Sequence, residues 1–117
     1  MGGTYDTAVA LIDDSCGGVT VQPQPTTIAH VAGETRFTLT HAVLVCPGTL
    51  TADGSFNTQP IVVQDSSGAS TVGIAGRFRT TGFDANATVD VARPGAPACR
   101  YVVRWTGTKQ GPPNVLP

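Results

Sequence analysis

The sequence predicts a single all-β domain, built as an antiparallel meander of about eight strands that closes into a barrel. Its 117 residues are enough for one hydrophobic core and too few for two. The chain contains 17 Thr, 14 Val and 4 Ile against one Glu and one Lys, and β-branched side chains favour strands over helices. Apolar and polar residues alternate along segments bounded by turn residues, which is typical of strands with one buried face.

Four strands are predicted in the first half of the chain. The segments TYDTAVALIDD, TTIAHVA and TRFTLTHAVLV alternate in this way, and a short GTLT strand follows Cys46 and Pro47. A long loop containing CGG and QPQP separates the first two strands, and a turn at Gly33-Glu34 separates the second from the third. The alternation predicts that one face of the third strand carries Phe37, Leu39, His41, Val43 and Val45.

Four more strands are predicted in the second half, in SFNTQPIVVQ, TVGIAGRFRT, FDANATVDVA and CRYVVRWTGT. Pro60 lies within the first of these and predicts a sheet edge or a bulge, because proline has no N–H for a ladder hydrogen bond. We expect one barrel domain over residues 1–110 and a proline-rich tail or linker over residues 111–117.

Eight antiparallel strands in simple succession can close into a barrel whose interior holds side chains or one small ligand. The alternative is an immunoglobulin-like β-sandwich. That fold places a tryptophan between its two cysteines, whereas Trp105 follows all three cysteines of this chain. The barrel is therefore the favoured architecture.

The strand count predicts a disulfide between Cys16 and Cys99. Cys16 follows the first strand and Cys99 begins the last, and these strands are antiparallel neighbours in a closed barrel. Cys46, which we expect at the same rim, leaves Cys16–Cys46 open as an alternative, since sequence alone does not fix connectivity.

The charge balance argues against nucleic acid binding, and the length of the apolar stretches argues against a membrane-spanning helix. Seven basic and eight acidic residues give a net charge of −1, without the basic surface that nucleic acid binding requires. The apolar stretches are far shorter than the roughly 20 residues of a membrane-spanning helix.

Isolated cysteines and an uncharged polar surface favour a secreted, periplasmic or cell-surface protein, with a leader removed ahead of Met1.

No catalytic motif is found in the sequence, so we expect neither an enzyme nor a cofactor. His30, His41 and Glu34 are side chains of the metal-ligand type close to one turn, but Glu34 lies at the tip of that turn, and no metal site is predicted. The weakest alternative is a small barrel enzyme that uses His41 and an acidic partner. On the outer face we expect a ladder of opposite charges, with an anion-binding arginine patch as the alternative; the residues are Arg77, Arg79, Asp84, Asp90, Arg100 and Arg104.

Several short stretches carry a family resemblance: TYDTAVALIDDSCGG, DGSF at 53–56, VGIAGRF at 72–78 and CRYVVRWTGTKQ at 99–110. Over about residues 4–110 the chain resembles a group of small secreted or lipid-anchored bacterial β-domains that are described as lipocalin-like. The resemblance implies a meander barrel and export, and it implies no activity.

Two functions follow from these expectations. The first is a non-catalytic structural or interaction module, with a protein partner or a second copy of the chain. The alternative is a lipocalin-like carrier of a small apolar ligand. Its barrel cavity would be lined by His41, Tyr101, Trp105 and Phe37.

Overall fold

The computed structural model describes residues 1–42, 44–66 and 68–114, apart from the side chain of Asp65. These residues form nine strands: β1 (Gly3–Asp14), β2 (Thr26–His30), β3 (Arg36–His41), β4 (Leu44–Leu50), β5 (Ser55–Thr58), β6 (Ile61–Asp65), β7 (Gly68–Arg79), β8 (Gly82–Ala92) and β9 (Cys99–Lys109). No helix capable of crossing a membrane occurs in this part of the chain.

The sheet closes on itself through two pairings. Each strand from β1 to β5 pairs with the next, as do β6 to β9, and β1 pairs with β9 along most of its length. The ring is completed where β5 pairs with β7 from Ser55↔Arg77 to Asn57↔Ala75. Eight strands therefore form a closed antiparallel meander barrel, as predicted, and β6 is an extra strand.

The single strand predicted over SFNTQPIVVQ is divided near Pro60, where an edge or a bulge was expected, into β5 and β6. Both strands pair with the same edge of β7, but the register changes between Asn57↔Ala75 and Ile61↔Val72, four residues along one strand against three along the other. At this interruption the Thr58 hydroxyl accepts the N–H of Ile74 at 3.0 Å. The side chain thus replaces a backbone acceptor where the ladder breaks.

The third predicted strand ends earlier than expected. The chain turns after β3 at Ala42, which has a φ of 52°, and His41 pairs with Leu44 across this turn. The prediction that Val45 shares the buried face of Phe37, Leu39 and His41 is wrong. After the turn at Ala42 the buried residues of β4 are the even-numbered ones, which leaves Val45 57% exposed. Val43 lies outside the described residues. Cys46 is not at the rim but within β4, opposite Leu39 and fully buried.

Two phenylalanines on the inner face each lie over a glycine of the neighbouring strand. Phe83 is paired with Gly107 and Phe37 with Gly48. A methyl group added to Gly107 would lie 2.2 Å from the ring of Phe83, and one added to Gly48 would lie 2.5 Å from the ring of Phe37. Glycine is therefore required at these positions by the space that the rings occupy.

The barrel is closed over only one half of the molecule. β1 pairs with β2 only from Gly3↔Ile28 to Tyr5↔Thr26, whereas its pairing with β9 continues to Asp14↔Tyr101. Beyond the closed half, β1, β9, β8, β7 and β6 continue side by side, and we call this part the sheet extension. It makes the molecule elongated, with extents of 47 × 22 × 21 Å, and it leaves β1 and β6 as its two edges.

Candidate functional site

The barrel interior contains two groups of rings. His41 and Trp105 stack with their centroids 4.0 Å apart and their planes 21° apart. Phe37 belongs to a second cluster, where its ring meets those of Phe56 and Phe78 at 5.5 and 5.9 Å. His41, Trp105 and Phe37 are each 4 to 6% exposed, so side chains occupy the space around them.

Tyr101, the fourth residue predicted to line a cavity, lies elsewhere. It is half-buried in the sheet extension, between Val89 on β8 and Asp14 on β1. The structure thus brings His41 and Trp105 together and places Phe37 and Tyr101 in other parts of the inner face.

His41 begins a chain of hydrogen bonds through the interior. Its Nδ1 lies 2.8 Å from Thr26 Oγ1, which lies 2.7 Å from Thr7 Oγ1, and Thr7 donates to the backbone carbonyl of Tyr5 at 3.4 Å. Because each hydroxyl has one proton, the consistent direction runs from an Nδ1–H donor on His41 toward Tyr5. Burial lowers the pKa of His41. The imidazole therefore acts as a neutral part of the core.

His30 lies apart from His41, at the end of β2. Its Nε2–H donates to the carbonyl oxygen of Glu34 at 2.8 Å, while Nδ1 lies 3.3 Å from the amino terminus. The carboxylate of Glu34 takes no part in this arrangement. Within residues 1–42, 44–66 and 68–114, no three His, Cys, Asp or Glu side chains are grouped as metal ligands.

A cavity of about 540 Å³ opens at the end of the barrel where the β2–β3 and β4–β5 turns meet, and we call it the end cavity. Its wall includes the apolar residues Ala32, Leu50, Ala52 and Pro113. His30, Glu34 and Lys109 add polar and charged groups to it. The volume falls in the range of small-molecule sites, roughly 300 to 1,000 Å³, and the mixed wall suits a small ligand with an apolar body.

Residues after β9 lie against the same end of the barrel. The backbone N–H of Asn114 donates to the carbonyl of Thr80, and its side-chain Nδ2 donates to the carbonyl of Arg79 at 2.8 Å. Its Oδ1 accepts from Lys109 Nζ at 2.8 Å and lies 3.0 Å from the hydroxyl of Tyr5. Asn114 is only 5% exposed, so residue 114 belongs to the packed structure.

The structure joins Cys16 to Cys99, the pair favoured by the strand count, and leaves Cys46 as a thiol. The bridge spans 83 residues of sequence, with its Cα atoms 5.1 Å apart. It links the loop after β1 to the start of β9, at the end of the sheet extension. Burial raises the pKa of Cys46, which disfavours the reactive thiolate.

Three of the four arginines expected in the outer-face ladder form ion pairs. Arg79 bonds Asp84 at 2.8 Å and Arg100 bonds Asp90 at 2.6 Å, as expected for a ladder of opposite charges. Arg77, although paired with Asp84 in register, instead bonds Asp53 in the β4–β5 turn at 3.1 Å. Hydrogen bonds from Thr51 and Ser55, together with Arg77, hold the pKa of Asp53 well below its usual range. These arginines thus have anionic partners within the chain.

The alternation of apolar and polar residues did not predict one exposed feature, the outer edge of the sheet extension at β6. Val62 is 60% exposed and Val63 is 37% exposed, although both are β-branched residues in a strand. The only signal available was Pro60, which marks the place where β6 leaves the barrel. Closure of the barrel removes free strand edges, and it does so only in the closed half.

Comparisons with known proteins find no match for this chain among protein-family models, curated proteins or solved structures.

Proposed function

We propose that this chain is a non-catalytic interaction module that works outside the cytoplasm. The observation that carries the proposal is the contrast between a filled interior and an unpaired edge. Stacked and clustered rings occupy the barrel, while Val62 and Val63 are exposed on β6. Exposed edge strands with β-branched residues are templates for pairing with another chain, so the sheet extension is the binding surface.

The disulfide supports the proposed location outside the cytoplasm. A bridge such as Cys16–Cys99 persists in oxidising surroundings and is rare in the cytosol. The small secreted or lipid-anchored bacterial domains that the sequence resembles share this setting. Their lipocalin-like barrel is compatible with the closed half of this molecule. A secreted, periplasmic or cell-surface location follows.

Site-specific photocrosslinking tests the interaction in cells that export the chain. A photoreactive phenylalanine analogue replaces Val62 in one variant and Val31, which is 70% exposed on the β2–β3 turn, in the control. We expect a discrete covalent adduct from position 62 and none from position 31. Equal labelling at both positions, or no adduct at position 62, would contradict the proposal.

A second candidate function is favoured by the end cavity. Its apolar wall and its volume of about 540 Å³ suit a carrier of a small apolar ligand that binds at the barrel end. A panel of apolar dyes tests this candidate by thermal shift. We expect a rise in melting temperature that is lost in Ala52→Arg, which adds a long charged side chain at an exposed position of the cavity wall. The absence of any response across the panel would exclude the carrier function.

A further inference from the structure

The free edge of β6 presents a defined set of backbone groups. In an antiparallel ladder, alternate residues direct their N–H and C=O to opposite edges. Ile74 of β7 directs its N–H toward Thr58 on the β5 side. Val72 and Ser70, two and four residues before it, direct their N–H groups to the same side of β7. Their partners Ile61 and Val63 therefore bond β7. This leaves the N–H and C=O of Val62 and Gln64 on the free edge.

These groups have no other backbone partner in the described part of the chain. No charged side chain lies between Ile61 and Gln64, although natural edge strands are commonly protected by lysine, by inward-pointing charges or by a bulge. Between Pro60 and Asp65, residues 61–64 of β6 thus form a short stretch of edge without a charged side chain.

The opposite edge of the sheet extension differs. On β1 the register to β9 shifts between Leu11↔Val103 and Asp13↔Val102, so Ile12 is an extra residue in a bulge. Two aspartates follow, and the carboxylate of Asp14 accepts the backbone N–H groups of Cys16, Gly17 and Val19. The bulge and the charges are features that discourage strand pairing. Of the two edges, only β6 is free to add a strand.

From this contrast we infer that β6 pairs with β6 of a second copy of the chain, antiparallel and about a two-fold axis at Val63. The inference rests on the proposed function and names its partner. In this register Val62 of each copy lies opposite Gln64 of the other, and the two residues exchange both N–H···O bonds. All the free groups of both edges are then satisfied, and a shift by two residues would lose half of those bonds.

Charge and shape agree with this partner. Val62 and Gln64, which exchange the hydrogen bonds, are neutral, and in this register residue 65 lies opposite Ile61 of the other copy. The two Val63 side chains meet as a β-branched cross-strand pair on one face, which stabilises antiparallel strands. The interface is self-complementary, so it closes as a dimer and does not continue into a filament. The sheet extensions of the two copies then form one sheet of ten strands.

Sedimentation equilibrium and amide hydrogen exchange of the pure chain test the inference. We expect a reversible monomer–dimer equilibrium with a dissociation constant below about 1 mM. Protection of the Val62 and Gln64 amides from exchange should rise with protein concentration. Val62→Lys should raise the dimer dissociation constant about tenfold or more by placing a charge in the pairing. Ile12→Lys is the matched control, an exposed apolar residue on the other edge, and it should leave the constant unchanged.

Cysteine crosslinking fixes the register independently of affinity. Two Val63→Cys chains should form a disulfide-linked dimer under mild oxidation, since facing residues of a non-hydrogen-bonded pair bring their Cβ atoms within bridging distance. Val31→Cys, exposed far from β6, should not crosslink, and Cys46 is buried.

A strictly monomeric chain with concentration-independent exchange at Val62 and Gln64 overturns the second copy as partner. An association that Ile12→Lys abolishes, or an open series of oligomers, also overturns it. If the pure chain is monomeric but Val62 still crosslinks to a different protein in exporting cells, the interaction module stands and this inference alone fails. An adduct with the chain itself supports both.

Discussion

Trp105 lies almost parallel to His41, with their ring centroids 4.0 Å apart. This stack joins β9 to β3 across the interior, and His41 also contacts Thr26 of β2 through a 2.8 Å hydrogen bond. One titratable side chain therefore links three strands in a buried position, where its charged form is disfavoured.

The buried imidazole predicts a pH dependence of stability. Burial holds the pKa of His41 below its ordinary value of 6.5, so the unfolded chain binds a proton at a pH where the folded chain does not. The free energy of unfolding should be fully retained above about pH 6.5 and decrease as the pH falls toward the folded pKa. Urea unfolding at about pH 7.5 and pH 5.5 measures this decrease, which His41→Gln should remove. A decrease of equal size in His41→Gln would assign it to other groups.

The sequence predicted the strands best where alternation is regular. In β8 the residues Phe83, Ala85, Ala87, Val89 and Val91 are all buried, as the alternation indicated. It failed at Ala42, because alanine is not a typical turn residue and the apolar run around it continues without a break. A two-residue hairpin loop requires a positive φ at a central position, and alanine does not mark such a position in the sequence.

The site was harder to predict than the fold. His41 and Trp105 share the inward phase of their strands, but alternation does not specify that their rings stack. The end cavity combines two turns with residues 109 and 113, and the β6 edge depends on where the barrel stops closing. Both features arise from contacts between segments that are distant in sequence, for which local patterns carry no signal.

The close packing of Phe83 over Gly107 predicts a large effect of one methyl group. Gly107→Ala places a Cβ 2.2 Å from the Phe83 ring, so the ring or the strand must shift. We expect the free energy of unfolding to decrease by about 1 to 3 kcal/mol. Gly73→Ala is the matched control, because nothing lies within 4 Å of its added Cβ. Equal destabilisation of both variants, measured by urea unfolding, would contradict this account of Gly107.

Removing the disulfide should destabilise the fold substantially. The Cys16–Cys99 bridge spans 83 residues, and a loop of this length restricts the unfolded chain by about 3 to 5 kcal/mol in the chain-entropy account. We expect Cys16→Ser with Cys99→Ser to lower the free energy of unfolding by that amount. The denaturant midpoint should fall and the m-value should rise, because the unfolded chain is less compact without the bridge. Retention of the parent midpoint would show that the bridge does not stabilise the fold.

Cys46 should react with thiol reagents only when the protein unfolds. The residue is fully buried opposite Leu39, and burial raises the pKa of its thiol, so neither access nor ionisation favours reaction in the folded state. The labelling rate in native buffer should follow the unfolding equilibrium and increase when the disulfide is removed. Rapid labelling of the native protein, comparable with the rate in urea, would mean that β4 opens locally.

The docking of Asn114 predicts that residues after β9 contribute to stability. Its side chain bonds the Arg79 carbonyl and Lys109, and it lies beside the Tyr5 hydroxyl in a site that is 5% exposed. Asn114→Ala leaves the Arg79 carbonyl without this donor, and we expect a loss of about 1 to 3 kcal/mol in the free energy of unfolding.

Gln110→Ala is the control, since it removes only an exposed hydrogen bond to Asp6 and should cost less than about 0.5 kcal/mol. Because Asn114 connects β1, β7 and β9, limited proteolysis of Asn114→Ala should also cleave the chain after Lys109 faster than in the parent. Unchanged proteolysis with unchanged stability would mean that residues 111–114 behave as the tail that their prolines suggest.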